Sequence, residues 1–212
     1  MRIDRALGDL GVLLEPTSVV ATAWEQAERI GARARFRPKV ALVTGAGPIG
    51  LLAASLARQR GLETYVVDLA TDGPKPRLVA ELRAHYHSEP VSEVPVEADI
   101  VIECTGPSSS ARGERTTPGA VIARTGLSHQ ERVAELSPEA MNKALVLRNK
   151  VVFGSVTGHR RHYDPATEAL AAADRDWLAQ LITRRVSAQE LPCALEKQPG
   201  DVKVVVDMIQ AA

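Results

Sequence analysis

The sequence predicts an α/β protein built on a doubly wound parallel sheet. Three observations carry this: short β-branched runs alternate with longer helical stretches, the helices carry start and stop signals, and the apolar content is almost wholly aliphatic. The runs are residues 39–44 (KVALVT), 63–68 (ETYVVD), 98–104 (ADIVIEC), 119–125 (GAVIART) and 150–155 (KVVFGS). Between them, residues 48–60, 75–85 and 139–147 are rich in Ala, Leu, Glu and Arg and read as helices. Pro48 suits a first helical turn, Gly61 a C-cap, and Ser137-Pro138-Glu139 a helix start. Aromatic residues make up only 3% of the 212 residues, so the core must come from Val, Leu, Ile and Ala, which suits a parallel sheet buried on both faces. Right-handed crossovers then bring every strand's C-terminal end to one edge.

The ends read differently. Residues 10–14 form an apolar run, and Pro16-Thr17-Ser18 opens a helix reaching about Ile30. Residues 164–185 read as one amphipathic helix, and residues 201–207 (DVKVVVD) as a terminal strand after the Pro199-Gly200 turn. That strand either joins the edge of the main sheet or belongs to another domain. Twenty-six basic and 26 acidic side chains interleave to a net charge of zero, so no nucleic acid or anionic membrane partner is expected. No apolar run reads as long enough to span a bilayer, and Met1-Arg2-Ile3-Asp4 does not read as a signal peptide. Cys104 and Cys193 give neither a disulfide framework nor zinc-finger spacing, so a reduced, cytoplasmic protein is expected.

One motif carries chemistry. Gly45-Ala46-Gly47-Pro48-Ile49-Gly50 satisfies G-x-G-x-x-G between a strand and a helix. In that setting Gly45 allows the tight turn, Gly47 lets the backbone approach a pyrophosphate, and Gly50 lets the helix pack closely on the strand. The helix N-terminus and its dipole would face the phosphates. Asp68, ending the next strand, stands where an acid accepts hydrogen bonds from the adenosine ribose. The unit 39–68 therefore predicts a Rossmann-type site for NAD or NADP. The Asp68 carboxylate favours NAD, while Lys75 and Arg77 are either solvated surface charges or a grip for a 2′-phosphate, so both cofactors are compatible. Thr105-Gly106, Thr125-Gly126-Leu127 and Ser155-Val156-Thr157 follow three further strands and would converge on the same edge, either lining the site or only turning the chain.

Together with residues 14–20 (LEPTSVV), 44–50 (TGAGPIG), 103–106 (ECTG) and 144–155 (ALVLRNKVVFGS), these features resemble the medium-chain zinc-dependent dehydrogenases. Residues 160–163 (RRHY), the helix through Trp177 and residues 201–207 are similar to the C-terminal half of NAD(P)-using glucose 1-dehydrogenases. The resemblance implies hydride transfer from the C1 of D-glucose or a related aldose to NAD(P), with Zn2+ polarising the C1 hydroxyl. It implies a homodimer or homotetramer. It also implies a GroES-like catalytic domain ahead of residue 1, supplying Cys and His-Glu zinc ligands that this sequence does not hold. Of that metal shell only Glu15 is matched, as a catalytic residue that would orient or transiently ligate zinc in company with ligands of the missing domain. Lys203 is matched through the Val-Lys-Val pattern and is either a cofactor contact or a surface charge.

The implied division is a linker segment and helix over 1–37, a cofactor core over 38–163, and a C-terminal helix and return strand over 164–212. Such a chain is expected to be inactive alone. Thr157 stands where glucose dehydrogenases commonly have an Asn, which puts the glucose specificity in question, and Arg124 replaces a usually apolar strand residue. His85-x-His87 is read as an exposed helix end rather than a chelate. The rival readings are a zinc-free quinone or enoyl reductase, against which the Glu15-Pro16 segment argues, and a non-catalytic NAD(P)-binding dimerisation module.

Overall fold

The computed structural model describes residues 5–34, 36–106, 115–127, 138–156, 158–196 and 198–208. Its main sheet contains β1 (Val40–Thr44), β2 (Glu63–Val67), β3 (His85–His87), β4 (Ala98–Glu103), β5 (Thr116–Arg124) and β6 (Val151–Gly154). The order is β3-β2-β1-β4-β5-β6 and every pairing is parallel. The chain winds outward from β1 in both directions, so the connections part between β1 and β4. There Thr44 lies between Val67 and Glu103 in register. A crevice at this switch point, beyond the strand ends, is where such sheets take ligands.

The helices are α1 (Leu14–Gly31), α2 (Pro48–Gln59), α3 (Pro74–Glu81), α4 (Pro138–Leu147), α5 (Tyr163–Ala172), α6 (Arg175–Gln180) and α7 (Leu191–Leu195). On one sheet face α1 and α2 bury Leu14, Trp24, Leu51 and Leu52 with Ala41, Val43, Ile100, Ile102 and Val121. Each fully buried Leu there contributes about 1.5–3 kcal/mol relative to an exposed one. The opposite face holds a smaller cluster of Leu42, Val67, Val94, Ala98, Val101 and Ile122. This aliphatic, two-sided burial is what the aromatic-poor composition predicts.

Four expectations need correction. First, Ala6–Gly31 is long and apolar enough to cross a membrane by length and composition. In the fold most of it is buried, with α1 packed on α2, α5 and β5. Second, the helix expected over 75–85 ends at Glu81, because Arg83 takes a left-handed φ of 55° and turns the chain. Third, His85-Tyr86-His87 is therefore the edge strand β3, not a helix end. The His85 and His87 rings stack on Tyr65, with centroids 4.6 and 5.9 Å away.

Fourth, the single helix expected over 164–185 is three elements. Ala173 is extended, and the Asp174 side chain accepts from the amides of Asp176 and Trp177, starting α6 afresh. A capping side chain competes here with helical continuation. Beyond Leu181 the residues alternate half-buried and exposed as a strand, β7 (Ile182–Ser187). The terminal strand β8 (Lys203–Asp207) pairs parallel with β7 in a separate two-stranded sheet, which settles the alternative left open for it. Of the helix expected from Ser137, Pro138–Leu147 is observed as α4, while Ser137 lies outside the described residues.

A two-stranded sheet is marginal by itself. Arg184 fastens this one, donating to both Asp201 carboxylate oxygens at 2.7 and 3.1 Å and to the carbonyls of Cys193 and Glu196 at 2.9 Å. Arg184→Ala should loosen the segment 191–205, lowering its amide-exchange protection on the order of tenfold. Protection of β1 and β4 should not change. Unchanged exchange over 191–205 by mass spectrometry would show that Arg184 is not the fastener.

Candidate cofactor-binding site

At the end of β1 the chain reverses through Gly45, whose φ of 88° is a left-handed value that a side chain rarely tolerates. Its amide donates to the Val67 carbonyl at 2.6 Å, which extends the β1–β2 ladder by one rung. Gly47 is the N-cap of α2 and Pro48 occupies the first turn. Gly50 faces the carbonyl of Gly45 so closely that a Cβ there would lie 1.7 Å from the oxygen. A Cβ on Gly47, by contrast, would meet nothing within 4 Å. No side chain caps the Ile49 and Gly50 amides of α2, and the positive end of the dipole lies at this turn. The turn therefore has the shape and charge to take a pyrophosphate above Gly47.

Asp68 follows β2 directly. Its Oδ2 accepts from the Ala46 amide at 2.7 Å, inside the glycine turn, and its Oδ1 from Ala70 at 3.1 Å. Lys75, at the start of α3, donates to both oxygens at 2.9 and 3.0 Å. Burial pushes the carboxyl up, but the Lys75 hydrogen bond, the two backbone amides and the Lys75 charge outweigh it, so its pKa lies below the ordinary value. Lys75 is thus paired with Asp68, while Arg77 is exposed and lies 3.7 Å from Glu81. Leu69, 93% exposed, leaves an apolar surface beside Asp68.

On the other side of the switch point, Glu103 ends β4, and Thr105, Gly106, Thr125 and Gly126 surround it. Cys104 is half-buried, and desolvation pushes its thiol up to about 12, so it packs here as a neutral group. Leu127 is exposed, as is Val156. Among the described residues the buried Ser155 and Thr44 hydroxyls have no hydrogen-bond partner, while Glu103 Oε2 makes no hydrogen bond but faces Arg124 Nε at 3.7 Å. Two buried hydroxyls without a partner, at the C-terminal ends of β1 and β6, fit a polar ligand along this edge. Thr157 lies outside the described residues.

Gly158, just beyond it, packs on Ser18 of α1: a Cβ on Gly158 would lie 2.5 Å from Ser18 Oγ. Ser18 Oγ in turn donates to the carbonyl of Glu15, so the exposed Glu15 sits one helical turn from the β6 end of the crevice. Lys203 begins β8 in the second sheet. Gly200, before it, approaches Pro74 at the N-terminus of α3. Among the described residues no group of three His, Cys, Asp or Glu side chains can hold a metal ion, so Glu15 does not make a zinc site within them.

Reading the sequence for sites missed Leu69 and Glu103. Leu69 stands in a loop, and its exposure carries no local signature. Glu103 could have been found, since a carboxylate at the end of a strand buried on both faces needs partners.

Strand order, switch point and glycine turn together define a Rossmann-type α/β unit of the kind that medium-chain dehydrogenases carry. Residues 8–208 match the family described as glucose dehydrogenase C-terminus, and the chain belongs to that family. It is 35% identical over 220 residues to a glucose 1-dehydrogenase of Methanocella arvoryzae, covering 97% of this chain and 61% of the relative. A glucose 1-dehydrogenase of Thermoproteus tenax is 36% identical, covering 98% and 62%. The Haloferax mediterranei glucose dehydrogenase, solved in complex with NADP, Zn and gluconolactone, superposes with a TM-score of 0.90 at 26% identity, covering 100% of this chain and 62% of that one. The chain thus spans about three fifths of the length of these relatives.

Proposed function

We propose that the chain binds NADP or NAD and forms the cofactor-binding portion of a zinc-dependent aldose 1-dehydrogenase, with D-glucose or a related aldose as hydride donor at C1. One observation carries this: the uncapped N-terminus of α2, opened by Gly45 and left clear above Gly47, stands beside an ionised Asp68. When bound, NAD(P) supplies the hydride-accepting nicotinamide ring. The chain's own residues bind and orient it. Amides of the 45–50 turn hold the pyrophosphate, Asp68 accepts from the adenosine ribose, and Leu69 gives the adenine an apolar seat. Lys75 and Arg77 lie close enough in sequence to serve a 2′-phosphate. The turns at Thr105-Gly106, Thr125-Gly126-Leu127 and Ser155-Val156-Thr157 line the nicotinamide half, and Lys203 is a further cofactor contact.

The relatives' additional length supports a division in which 38–163 is the cofactor core, while 1–37 and 164–212 meet a catalytic part that completes a zinc site with Glu15. The Haloferax protein's NADP, zinc and gluconolactone support that assignment. The open edge of β6, with Val146 and Leu147 exposed just before it, supports assembly as a homodimer or homotetramer. A reduced cytoplasmic setting suits the two free thiols.

Titration of the purified chain with NADPH and with NADH, followed by cofactor fluorescence, tests the reading. Binding of at least one is expected, with negligible glucose oxidation. Binding of neither would remove the central assignment, and zinc-dependent glucose oxidation by these 212 residues would remove the claim of inactivity.

A further inference from the structure

Glu103 is 1% exposed at the end of β4, and a carboxylate that deep must have its charge answered. Its Oε1 accepts from the Thr105 amide and the Thr105 hydroxyl, each at 2.6 Å, and from the Gly106 amide at 2.7 Å. Its backbone carbonyl accepts from the amides of Thr125 and Gly126 at 2.8 and 3.0 Å and from the Thr125 hydroxyl at 2.9 Å. One residue therefore ends two turns, the one after β4 and the one after β5.

These turns touch each other and the glycine turn. A Cβ on Gly126 would lie 2.3 Å from the Gly106 nitrogen, and one on Gly45 would lie 2.7 Å from Thr105 Cγ2. Glu103 Oε2 has no hydrogen bond, but the Arg124 Nε stands 3.7 Å away, on the residue that is its register partner in β5. This accounts for a half-buried arginine within a sheet strand, where it stands opposite a buried carboxylate.

We propose that Glu103 and Arg124 act as a pair of positioning residues for the nicotinamide half of the cofactor, an inference resting on the cofactor-binding reading above. Asp68 lies on the β2 side of the switch point, with the adenosine half. The turns that Glu103 organises lie on the β4–β5 side, with the other half. Glu103 touches neither ligand nor reacting atoms and works through the Thr105-Gly106 and Thr125-Gly126 backbones.

A purely structural role would weaken all ligands alike, so the test compares two halves of one ligand. NADPH is measured against 2′,5′-ADP, and NADH against ADP, with wild type, Glu103→Gln, and the double variant Glu103→Ala/Arg124→Leu. The double variant removes both charges together and guards against an unfolded single variant. Dinucleotide affinity should fall about tenfold in both variants, as expected for lost charge-assisted hydrogen bonds, with fragment affinity changed less than about twofold. Amide exchange at residues 105, 106, 125 and 126 should quicken in both. Equal losses for dinucleotide and fragment, or unchanged dinucleotide affinity, would overturn the proposal. Failure of the wild type to bind either dinucleotide would overturn the cofactor reading instead. In that event unchanged exchange at the four amides would also remove the positioning pair.

Discussion

Gly50→Ala should lower the melting temperature by about 6–12 °C and abolish detectable NADPH and NADH binding. The added methyl would lie 1.7 Å from the Gly45 carbonyl oxygen and 2.9 Å from its carbon. No rotamer change relieves a Cβ, so α2 must move away from β1. Overpacking of this kind costs about 1–3 kcal/mol and sometimes more, and backbone against backbone belongs at the upper end. At about 2–4 °C per kcal/mol for a chain of this size, the shift is easily read by thermal denaturation. Gly47→Ala is the matched control. Its Cβ would meet nothing within 4 Å, so melting should stay within about 1 °C while the methyl intrudes on the pyrophosphate. Equal melting losses in the two variants would mean that close packing is not what Gly50 provides.

Asp68→Asn should shift cofactor preference towards NADPH by about 10- to 100-fold, the range of one or two charge-assisted hydrogen bonds lost to the ribose and gained by the phosphate. In the wild type, Lys75 is held by both carboxylate oxygens. Neutralising position 68 frees that ammonium for a 2′-phosphate while weakening the acceptor for ribose hydroxyls. Paired titrations with NADPH and NADH read the ratio, and an unchanged ratio would mean that the Asp68–Lys75 pair does not govern the choice.

The same variant has a pH consequence. Desolvation raises the Asp68 pKa, but the Lys75 and backbone partners lower it more, so its folded value lies below the unfolded value of about 3.9. The stabilisation is therefore complete above that unfolded value and is lost as pH falls through the folded one. Denaturant midpoints between neutral pH and about pH 3 should decline less in Asp68→Asn than in wild type.

What could be read from the sequence follows from how local each signal is. Gly45, Pro48 and Gly61 specify turn, helix start and helix stop within a few residues, and α2 runs Pro48–Gln59, one residue short of its expected span. β1, β2, β4 and β6 likewise carry their own β-branched signatures. β3 has only three residues, and its strand character comes from pairing with Tyr65–Val67, which no local pattern around His85 declares. The break at Ala173 hides inside an alanine-rich run that favours helix by propensity, until Asp174 captures the amides of Asp176 and Trp177. Arg124 reads as an oddity in a strand until Glu103 is set opposite it. Side chains answered by distant partners are the ones that sequence reading misplaces.

The central strand also bears on how the chain acquires its shape during synthesis. β1 ends at residue 44, yet its second neighbour, β4, ends only at residue 103. At roughly 5–20 residues per second, a ribosome takes on the order of 3–12 s to deliver that partner. Throughout the interval one side of Ala41–Thr44, apolar along most of its length, offers unpaired amides and carbonyls to any strand it meets. The switch point that creates the binding crevice is thus also the later of the two edges of β1 to close, and a place where a nascent chain is open to mispairing with another copy.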